Sequence, residues 1–520
     1  MPTATSPGAP PAPPPHPRRW LALTALVASM LVLGFDMTIL NVALPTMADQ
    51  MGASTGEQQW MADAYIVVFA ALMLPAGLLG DRFGRRRMLI TGLGIFLVGS
   101  VVGTLVDTVP LVVAARALMG VGGALVMPLA MAVLPALFGP GERTKAIGVV
   151  SAASALGLPL GPILGGFLLD HFWWGSIFLV NVPMVALGIT ACLLLLPETT
   201  DPSAPKVDAL STALTAAGLA SLVYAIIEAP HRGWGDPLVV APLGASAALL
   251  TALVLRERRA ARPMLDLSLL GHRGFLLNTL TATLVMFVLS GLMFVLPQYL
   301  QAVLGNDAFG TGLRLLPMMG GLVVAAKGTE PAVRRFGARA VISAGLVVLA
   351  FAALLGTRTT VDSGYGFTAL WLSVAGLGFG FAVVPAMDTA LGALPAERAG
   401  SGSGLLMTVR QVGSAIGIAL LGSLLSGVYQ DRLDTGGLPA RAADAAGDSV
   451  VAAHLVAERL GAPRLAAAAD SAYVHGMAVV LLVSGVAALV TALLVAALLP
   501  RDAAGGTADD MARSAADARQ

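Results

Sequence analysis

The sequence predicts an all-α integral membrane protein with fourteen transmembrane helices, arranged as two six-helix bundles with two extra helices inserted between them. Three observations lead to this prediction: the composition, the long apolar runs, and an internal repeat. Of 520 residues, 57% are hydrophobic and only 12% are charged. A soluble chain of this length needs far more charge to cover its surface, so the protein belongs to the membrane class.

Runs of about 20 apolar residues are long enough to cross the hydrocarbon core of a bilayer. Fourteen such runs occur, at 20–45, 59–80, 88–106, 110–137, 146–169, 177–196, 208–228, 238–255, 274–297, 310–327, 340–356, 365–386, 402–428 and 474–499. The predicted organisation is a disordered Pro/Ala-rich tail, 1–19; a first six-helix bundle, 20–196; two inserted helices with their linkers, 197–273; a second six-helix bundle, 274–499, with an outer loop, 429–473; and a disordered tail, 500–520.

The distribution of Lys and Arg predicts how the chain lies in the membrane. Of 31 such residues, 22 fall on the side of the two termini, six in the opposite loops and three within spans. Positive charge accumulates on the cytoplasmic side of membrane proteins. We therefore predict a multi-pass protein of the inner (plasma) membrane with both termini in the cytoplasm.

Two motifs recur about 255 residues apart, which predicts that the bundles are parallel repeats. The first, "RFGRR" (Arg82 to Arg86), returns as "RFGAR" (Arg335 to Arg339). The second is a Glu-Arg pair followed by Gly-xxx-Gly; its copies are Glu142-Arg143 with Gly157 and Gly161, and Glu397-Arg398 with Gly413 and Gly417. Each match is weak alone, but their offsets nearly agree.

Several functions are excluded or disfavoured by composition. The formal net charge of +1 gives no reason to expect a nucleic-acid partner. The single cysteine, Cys192, rules out an internal disulfide and a cysteine-based metal site. None of the three lysines follows a glycine, so a P-loop is impossible. The histidines fall in tails, loops or span edges, and no catalytic constellation is recognisable. We therefore expect no metal, no cofactor and no enzymatic activity.

Asp36 is the first candidate functional residue, because it lies inside the apolar stretch "SMLVLGFDMTILNVALP" (29–45). A charged carboxylate at the centre of a bilayer costs about 3 kcal/mol on insertion scales. Such a group is retained when it has a function. The alternative is a structural acid that is satisfied by Asn41 or by a backbone group.

Three other features are predicted to lie at the depth of Asp36. With a rise of about 1.5 Å per residue, comparable depths are reached by Asp63, Arg116 and the pair Gly161–Pro162. A carboxylate near an arginine inside a protein can titrate and exchange partners, as proton coupling requires. The alternative for Asp63 is a solvated acid at the membrane interface.

The loop between the second and third spans, "GLLGDRFGRRRML" (77–89), fits the pattern G-x-L-x-D-R-x-G-[RK]-[RK]-x-x-L at every position. This pattern resembles the signature loop of the major facilitator superfamily. The resemblance implies a charged gate that latches one conformation; its residues here are Gly77, Asp81, Arg82, Gly84, Arg85 and Arg86. The alternative is an anchor that only fixes topology.

The fifth span contains "GLPLGPILGG" (157–166), which looks like the glycine-proline signature of antiporters in this superfamily. Small residues at i and i+4 let helix backbones approach closely, and proline disrupts the helical hydrogen bonds. The motif residues are Gly157, Gly161, Pro162, Gly165 and Gly166. The alternative is ordinary helix packing.

Two further stretches, "GFDMTILNVALP" (34–45) and "WWGSIFLVNVP" (173–183), resemble the fourteen-helix drug:proton antiporter family. Gly175 and Ser176 replace that family's Arg and Trp, and Met119 replaces a Gln near Arg116. The resemblance implies a monomeric exporter of small amphipathic or cationic drugs, with proton-coupled alternating access and with Asp36, Asp63 and Arg116 at its site. A metabolite symporter or facilitator of the same superfamily is the alternative.

Overall fold

The computed structural model describes residues 19–138, 140–200, 207–260, 263, 265–394, 399–436 and 438–499. Of the predicted tail 1–19, residues 1–18 lie outside these ranges, as does the tail 500–520, whereas Arg19 begins the first helix. Within them the regular structure is entirely helical. The helices are α1 Arg19–Met51, α2 Thr55–Phe83, α3 Arg85–Leu105, α4 Val109–Leu137, α5 Pro140–His171, α6 Ser176–Leu195, α7 Ala209–Arg232, α8 Pro237–Arg259, α9 Arg273–Gln298, α10 Ala308–Phe336, α11 Ala338–Gly356, α12 Tyr365–Gly392, α13 Ala399–Arg432, α14 Ala440–Asp448, α15 Val450–Leu460 and α16 Pro463–Leu498.

Among the described residues, thirteen helices are long and apolar enough to cross a membrane. Helix α5 adds a fourteenth, because its 32 residues extend about 48 Å and pack along α1. The predicted fold class is thereby confirmed. Since fourteen is an even number, the first and last described residues, Arg19 and Leu499, lie on one side of the bundle. We call this side the terminal face and the opposite side the distal face.

The internal repeat is visible in the turns and in the helix pairing. Gly84 and Gly337 each join two helices with a positive φ, +109° and +80° respectively, a conformation that favours glycine. In the first half α5 packs on α1, so that a Cβ on Gly161 would lie 2.7 Å from the Phe35 carbonyl oxygen. In the second half α13 packs on α9 in the same way, and a Cβ on Gly417 would lie 2.8 Å from Phe287 Cα.

The inserted helix α7 covers the seam between the two halves, and α8 packs on the outside of α7. Apolar residues of α7 pack against both α2 and α13. In addition, Ser423 Oγ of α13 donates a hydrogen bond of 2.7 Å to the Ile226 carbonyl of α7. Asp208 caps the start of α7 and pairs with Arg256 at 2.9 Å. Hydrogen bonding from Arg256 lowers the pKa of Asp208 to about 2, so this pair holds the two inserted helices together.

The longest connection on the distal face, predicted as the outer loop 429–473, contains the two short helices α14 and α15. The connection is shorter than predicted, because α13 continues to Arg432 and α16 already begins at Pro463. Proline is well tolerated in the first turn of a helix, and the alanine-rich segment that follows has high helix propensity. A prediction based only on runs of apolar residues therefore places the start of this helix too late, at residue 474 instead of Pro463.

Helix α15 is held to α16 by a pair that responds to pH. His454 Nε2 lies 2.8 Å from Asp470 Oδ1, and this hydrogen bond raises the pKa of His454 above its usual value. A raised pKa in the folded state means that the contact stabilises at low pH and is lost as the pH rises through the raised value.

We expect the backbone of residues 450–460 to exchange hydrogen faster at pH 8.5 than at pH 5.5, after correction for intrinsic rates. Hydrogen exchange with mass spectrometry measures this effect. His454→Gln should remove the pH dependence, whereas His475→Gln, at an exposed position of α16, should keep it. A parent protein with equal protection at both pH values would contradict the expectation.

Candidate functional site

Asp36 and Arg116 form a buried ion pair between α1 and α4. Arg116 Nη1 donates to Asp36 Oδ2 over 2.8 Å, and the two side chains are 3% and 1% exposed. Removing two charges from water is costly, and a buried pair survives only when its remaining polar atoms also find partners. The surroundings of both side chains therefore decide whether this pair is stable.

Asn181 of α6 supplies a second partner for Asp36. Its Nδ2 lies 3.2 Å from Asp36 Oδ1 and 3.4 Å from Ser100 Oγ of α3. Asn181 is fully buried. The sequence reasoning assigned it no role, although an asparagine at the start of an apolar run is a recognisable signal. Asn41, the partner considered from sequence, donates instead to the Met37 carbonyl.

Arg116 is held on its other side by α2. Its guanidinium carbon lies 4.5 Å from the centre of the Tyr65 ring, a cation–π contact. Arg116 Nε also points to the Met61 carbonyl at 3.4 Å. The guanidinium is therefore fixed by a carboxylate, an aromatic face and a backbone oxygen. If Asp36 lost its contact with Arg116, the other two contacts would still hold the guanidinium in place.

Asp63 is close in sequence to these contacts but does not take part in them. It is completely buried, and neither carboxylate oxygen has a hydrogen-bond partner within the described part of the chain. The structure thus places Asp63 inside the bundle and not at the wetted interface that was the alternative. A buried carboxyl group without a donor or cation is rare, so it requires a functional explanation.

The glycine-proline motif positions the segment of α1 that contains Asp36. A Cβ on Gly157 would lie 2.6 Å from the Gly34 carbonyl carbon, and one on Gly165 would lie 2.7 Å from Ile39 Cγ1. Three glycines of the motif therefore face α1. Gly166 instead faces the other half, where its Cβ would lie 2.7 Å from the Ala308 carbonyl carbon. Helix α5 continues unbroken through the proline of the motif.

A cavity of about 240 Å³ lies between the two halves beside the ion pair. Its wall is mostly apolar and rich in methionine, a flexible side chain that adapts to ligands of different shape. The lining methionines are Met30, Met37, Met127, Met286, Met293 and Met319. The charged lining residues are Arg116 from the first half and Arg410 from the second. Asp36 itself lies behind Arg116.

The two halves are joined on the distal side of this cavity. Gln301 Nε2 donates to the Val42 carbonyl over 2.7 Å, and Asp170 accepts from the Phe309 amide over 3.0 Å. A third distal contact joins α2 to α13, where Gln59 Nε2 donates to the Ala419 carbonyl over 2.8 Å. Each of these contacts lies nearer the distal face than Asp36. The structure is therefore the conformation that is closed at the distal face.

The loop after α2 forms a charge network on the terminal face. Arg85 Nη2 lies 2.7 Å from Asp81 Oδ1, and its Nη1 donates to the Ala132 carbonyl of α4 over 3.1 Å. Gly84 provides the turn, while Gly77 has nothing within 4 Å of a Cβ. These contacts join α2, α3 and α4 of one half, so the loop holds that half together in this conformation.

Glu198 completes the network, and the sequence reasoning missed it. Its carboxylate accepts from the backbone amides of Arg86 and Arg87 at 3.1 and 3.2 Å. It also occupies the space beside Gly84, where a Cβ would lie 2.5 Å from Glu198 Oε1. Arg86 additionally donates to the Leu193 carbonyl. The only signal in the sequence is an acid directly after an apolar run.

Residues 26–418 match the sequence profile described as Major Facilitator Superfamily. The chain is 32% identical over 488 residues to the "Tetracenomycin C resistance and export protein" of Streptomyces glaucescens, which covers 91% of this chain and 90% of that protein. It is 33% identical over 458 residues to the "Multidrug efflux pump LfrA" of Mycolicibacterium smegmatis, with 88% and 90% covered. A crystal structure of a bacterial homologue of the human lysosomal transporter Spinster, inward-facing and unoccupied, aligns with a TM-score of 0.67 at 19% identity over 93% of this chain and 98% of that one.

Proposed function

Because the chain belongs to the Major Facilitator Superfamily, we propose that it is a proton-coupled antiporter that exports drugs or other small amphipathic compounds by alternating access. The relatives described as resistance and efflux proteins support export. The single observation that carries proton coupling is the buried pair of Asp36 and Arg116, whose arginine lines the central cavity. Because the pair is buried between three helices, protonation of Asp36 would change how these helices pack against one another.

Proton binding at Asp36 would break the ion pair. A neutral carboxylic acid no longer attracts the guanidinium, which stays with Tyr65 and the Met61 carbonyl. Helix α1 then loses its strongest contact with α4 and can tilt relative to it. Since α1 also contributes Val42 to the distal contact with Gln301, protonation at Asp36 and opening of the distal face are mechanically linked.

The proposed orientation places the terminal face and both chain ends in the cytoplasm of a cell with a plasma (inner) membrane. The excess of Lys and Arg on this side supports it. In this orientation the face that is closed in the structure is the outer one. The predicted division into bundles at 20–196 and 274–499 becomes the pair of rigid bodies that move, and the protein is proposed to work as a monomer.

The remaining site residues have separate proposed roles. Asp63, buried and without a partner, is proposed to affect the substrate range or to hold a second proton. Gly157 and Gly161 keep α1 at the distance that the ion pair needs. The loop with Asp81 and Arg85 stabilises one half during the conformational change.

Transport by the purified protein in liposomes tests the proposal. Ethidium and tetracenomycin C serve as probes, with the interior of the vesicle made acidic or kept at the pH of the medium. In molecules whose terminal face is outside, an acidic interior should drive uptake of at least one probe, and that uptake should raise the internal pH. Symport would instead be accelerated by an acidic exterior, and substrate movement without any proton flux would contradict proton coupling.

Asp81→Asn should reduce transport about tenfold while changing substrate affinity by no more than a few-fold. The reason is that a partly buried ion pair stabilises by about 1 kcal/mol or somewhat more, and this one lies at the terminal face, away from the cavity. Transport assays and equilibrium binding in the same preparation measure both quantities. Glu330→Gln is the control, because it removes an exposed i,i+4 pair with Arg334 from the second half.

Unchanged transport in correctly folded Asp81→Asn protein would reduce the loop to a topological anchor. Equal losses in Asp81→Asn and Glu330→Gln would show that the net charge of the terminal face, and not the contact between Asp81 and Arg85, is responsible.

A further inference from the structure

The charged groups on the wall of the central cavity indicate which substrates it accepts. Both charged side chains that line it, Arg116 and Arg410, are cations. Arg116 is neutralised by Asp36 at 2.8 Å. Arg410 forms no ion pair with any acid in the described ranges. The cavity therefore has a net positive charge, which is located on α13 in the second half.

The contacts of Arg410 are unusually poor for a guanidinium. Its Nη1 donates to Met387 Sδ over 2.9 Å, and a thioether is a weak acceptor. Its Nε is buried and has no partner among the described residues. Arginine keeps its charge in proteins, so a permanent cation here has one buried donor without a partner and another on a weak acceptor. Such a group is costly unless an anion completes it.

Polar groups next to Arg410 extend the site along the same helix. Gln411 and Ser414 also line the cavity, and Ser414 hydrogen-bonds Ser290 of α9. An acidic group bound by the guanidinium would find the amide of Gln411 and the hydroxyl of Ser414 within one turn of α13, and the hydroxyl of Ser290 on the neighbouring helix α9. The surrounding methionines would then contact an apolar ring system.

We propose that the exported compounds contain an acidic group, a carboxylate or an ionised phenol, that is bound by Arg410. This proposal rests on the proposed function and names its substrate class. It replaces the cationic compounds that the family resemblance implies. It also gives the two halves different tasks. The internal repeat pairs Asp36 of the first half with Val288 of the second, and Arg410 of the second half with Ser154 of the first, so neither charged residue has a charged counterpart. Proton binding belongs to the first half, and anion binding to the second.

Separate sites have a consequence for the charge that each cycle moves. When n protons enter for one exported monoanion, n + 1 positive charges move inward, whereas a monovalent cation would give n − 1. Export of an anion is therefore driven by a membrane potential that is negative inside, for any n. Because proton and anion bind to different side chains, coupling runs through the conformational change and not through competition for one carboxylate.

Three ligands of nearly equal shape test the proposal directly: 9-anthracenecarboxylate, 9-anthracenecarboxamide and 9-(aminomethyl)anthracene. Equilibrium binding to the full-length protein at pH 7.5 should favour the carboxylate over the amine by about tenfold or more, the effect of one hydrogen bond to a charged group. Arg410→Gln should remove this preference and leave binding of the neutral amide within about twofold. Arg410→Lys should restore part of it.

Arg314→Gln is the matched control. Arg314 lies in the same half, near the distal end of α10, where it contacts the Tyr365 ring at 5.4 Å and does not line the cavity. This variant loses one positive charge but should keep the preference for the carboxylate. If it loses the preference as well, general electrostatics and not Arg410 are responsible, and the proposal fails.

Tighter binding of the amine to the parent protein, or a carboxylate preference that survives Arg410→Gln, would overturn the proposal. Binding needs no transport, so these outcomes leave proton-driven export untouched. Conversely, anion binding as expected with no proton-driven flux would refute the proposed function and keep the site. In vesicles whose terminal face is outside, uptake of the carboxylate moves n + 1 positive charges out through the protein, so at equal pH it should be faster when an imposed potential is positive inside the vesicle. Vesicles without protein at the same potential give the contribution of simple diffusion.

Discussion

We expect Asp36→Asn to abolish pH-gradient-driven export, whereas substrate exchange across the membrane at equal pH should continue. Asparagine keeps the shape of the side chain and can still accept a hydrogen bond from Arg116, but it cannot lose or gain a proton. Exchange without net proton movement needs only the moving halves, so it should survive better than active transport. Flux from proteoliposomes with and without an imposed pH difference measures both activities.

The geometry also predicts an effect of Asp36→Asn on stability. Removing one partner of a buried ion pair leaves the other charge uncompensated, at a cost of about 3–5 kcal/mol. Arg116 is 3% exposed, so water cannot easily replace the carboxylate. The thermal unfolding midpoint of the variant should therefore fall below that of the parent.

The double variant Asp36→Asn/Arg116→Gln separates stability from coupling. It removes both charges and leaves two neutral amides, which can hydrogen-bond to each other and to Asn181. We expect the unfolding midpoint to recover towards that of the parent, while gradient-driven export stays absent. Full gradient-driven export in Asp36→Asn, or its return in the double variant, would show that Asp36 is structural and that coupling occurs elsewhere.

Gly161→Ala should reduce export about tenfold or more. The number of protein molecules correctly inserted in the membrane should change little. The new Cβ would lie 2.7 Å from the Phe35 carbonyl oxygen and would also press against Thr38. Overpacking at such a contact costs about 1–3 kcal/mol. Helix α1 can relieve it only by moving away from α5, and Asp36, the residue after Phe35, then leaves the position in which Arg116 donates over 2.8 Å.

Gly94→Ala is the control for Gly161→Ala, because this glycine lies in the transmembrane helix α3 and has nothing within 4 Å of a Cβ. It should transport like the parent. Transport rates normalised to the protein inserted in the membrane measure both variants. Normal transport by Gly161→Ala would mean that the glycine-proline motif does not position Asp36, whereas a loss in Gly94→Ala as well would indicate a general intolerance of alanine in the helices.

The sequence by itself determined the fold class and the positions of the fourteen spans. Bilayer thickness sets the length that an apolar run must have, and backbone hydrogen bonds must be satisfied within each span. These requirements act on every helix separately, so they can be read from the chain without knowing its neighbours. For the same reason Asp36 was identifiable, because the cost of a charge at bilayer depth does not depend on which helix comes next.

Only the tertiary structure decided which groups meet. Asn181 completes the Asp36 pair, Glu198 closes the terminal-face network, and Asp63 and Arg410 stay without a carboxylate or cation partner in the described structure. A contact between two helices depends on their rotation, tilt and relative depth, and each of these is set by the packing of both surfaces at once. Arg410 shows the difference most clearly. As a residue in the sequence it resembles any structural arginine of a membrane helix, and it becomes a candidate anion site only because no acid from another helix reaches it.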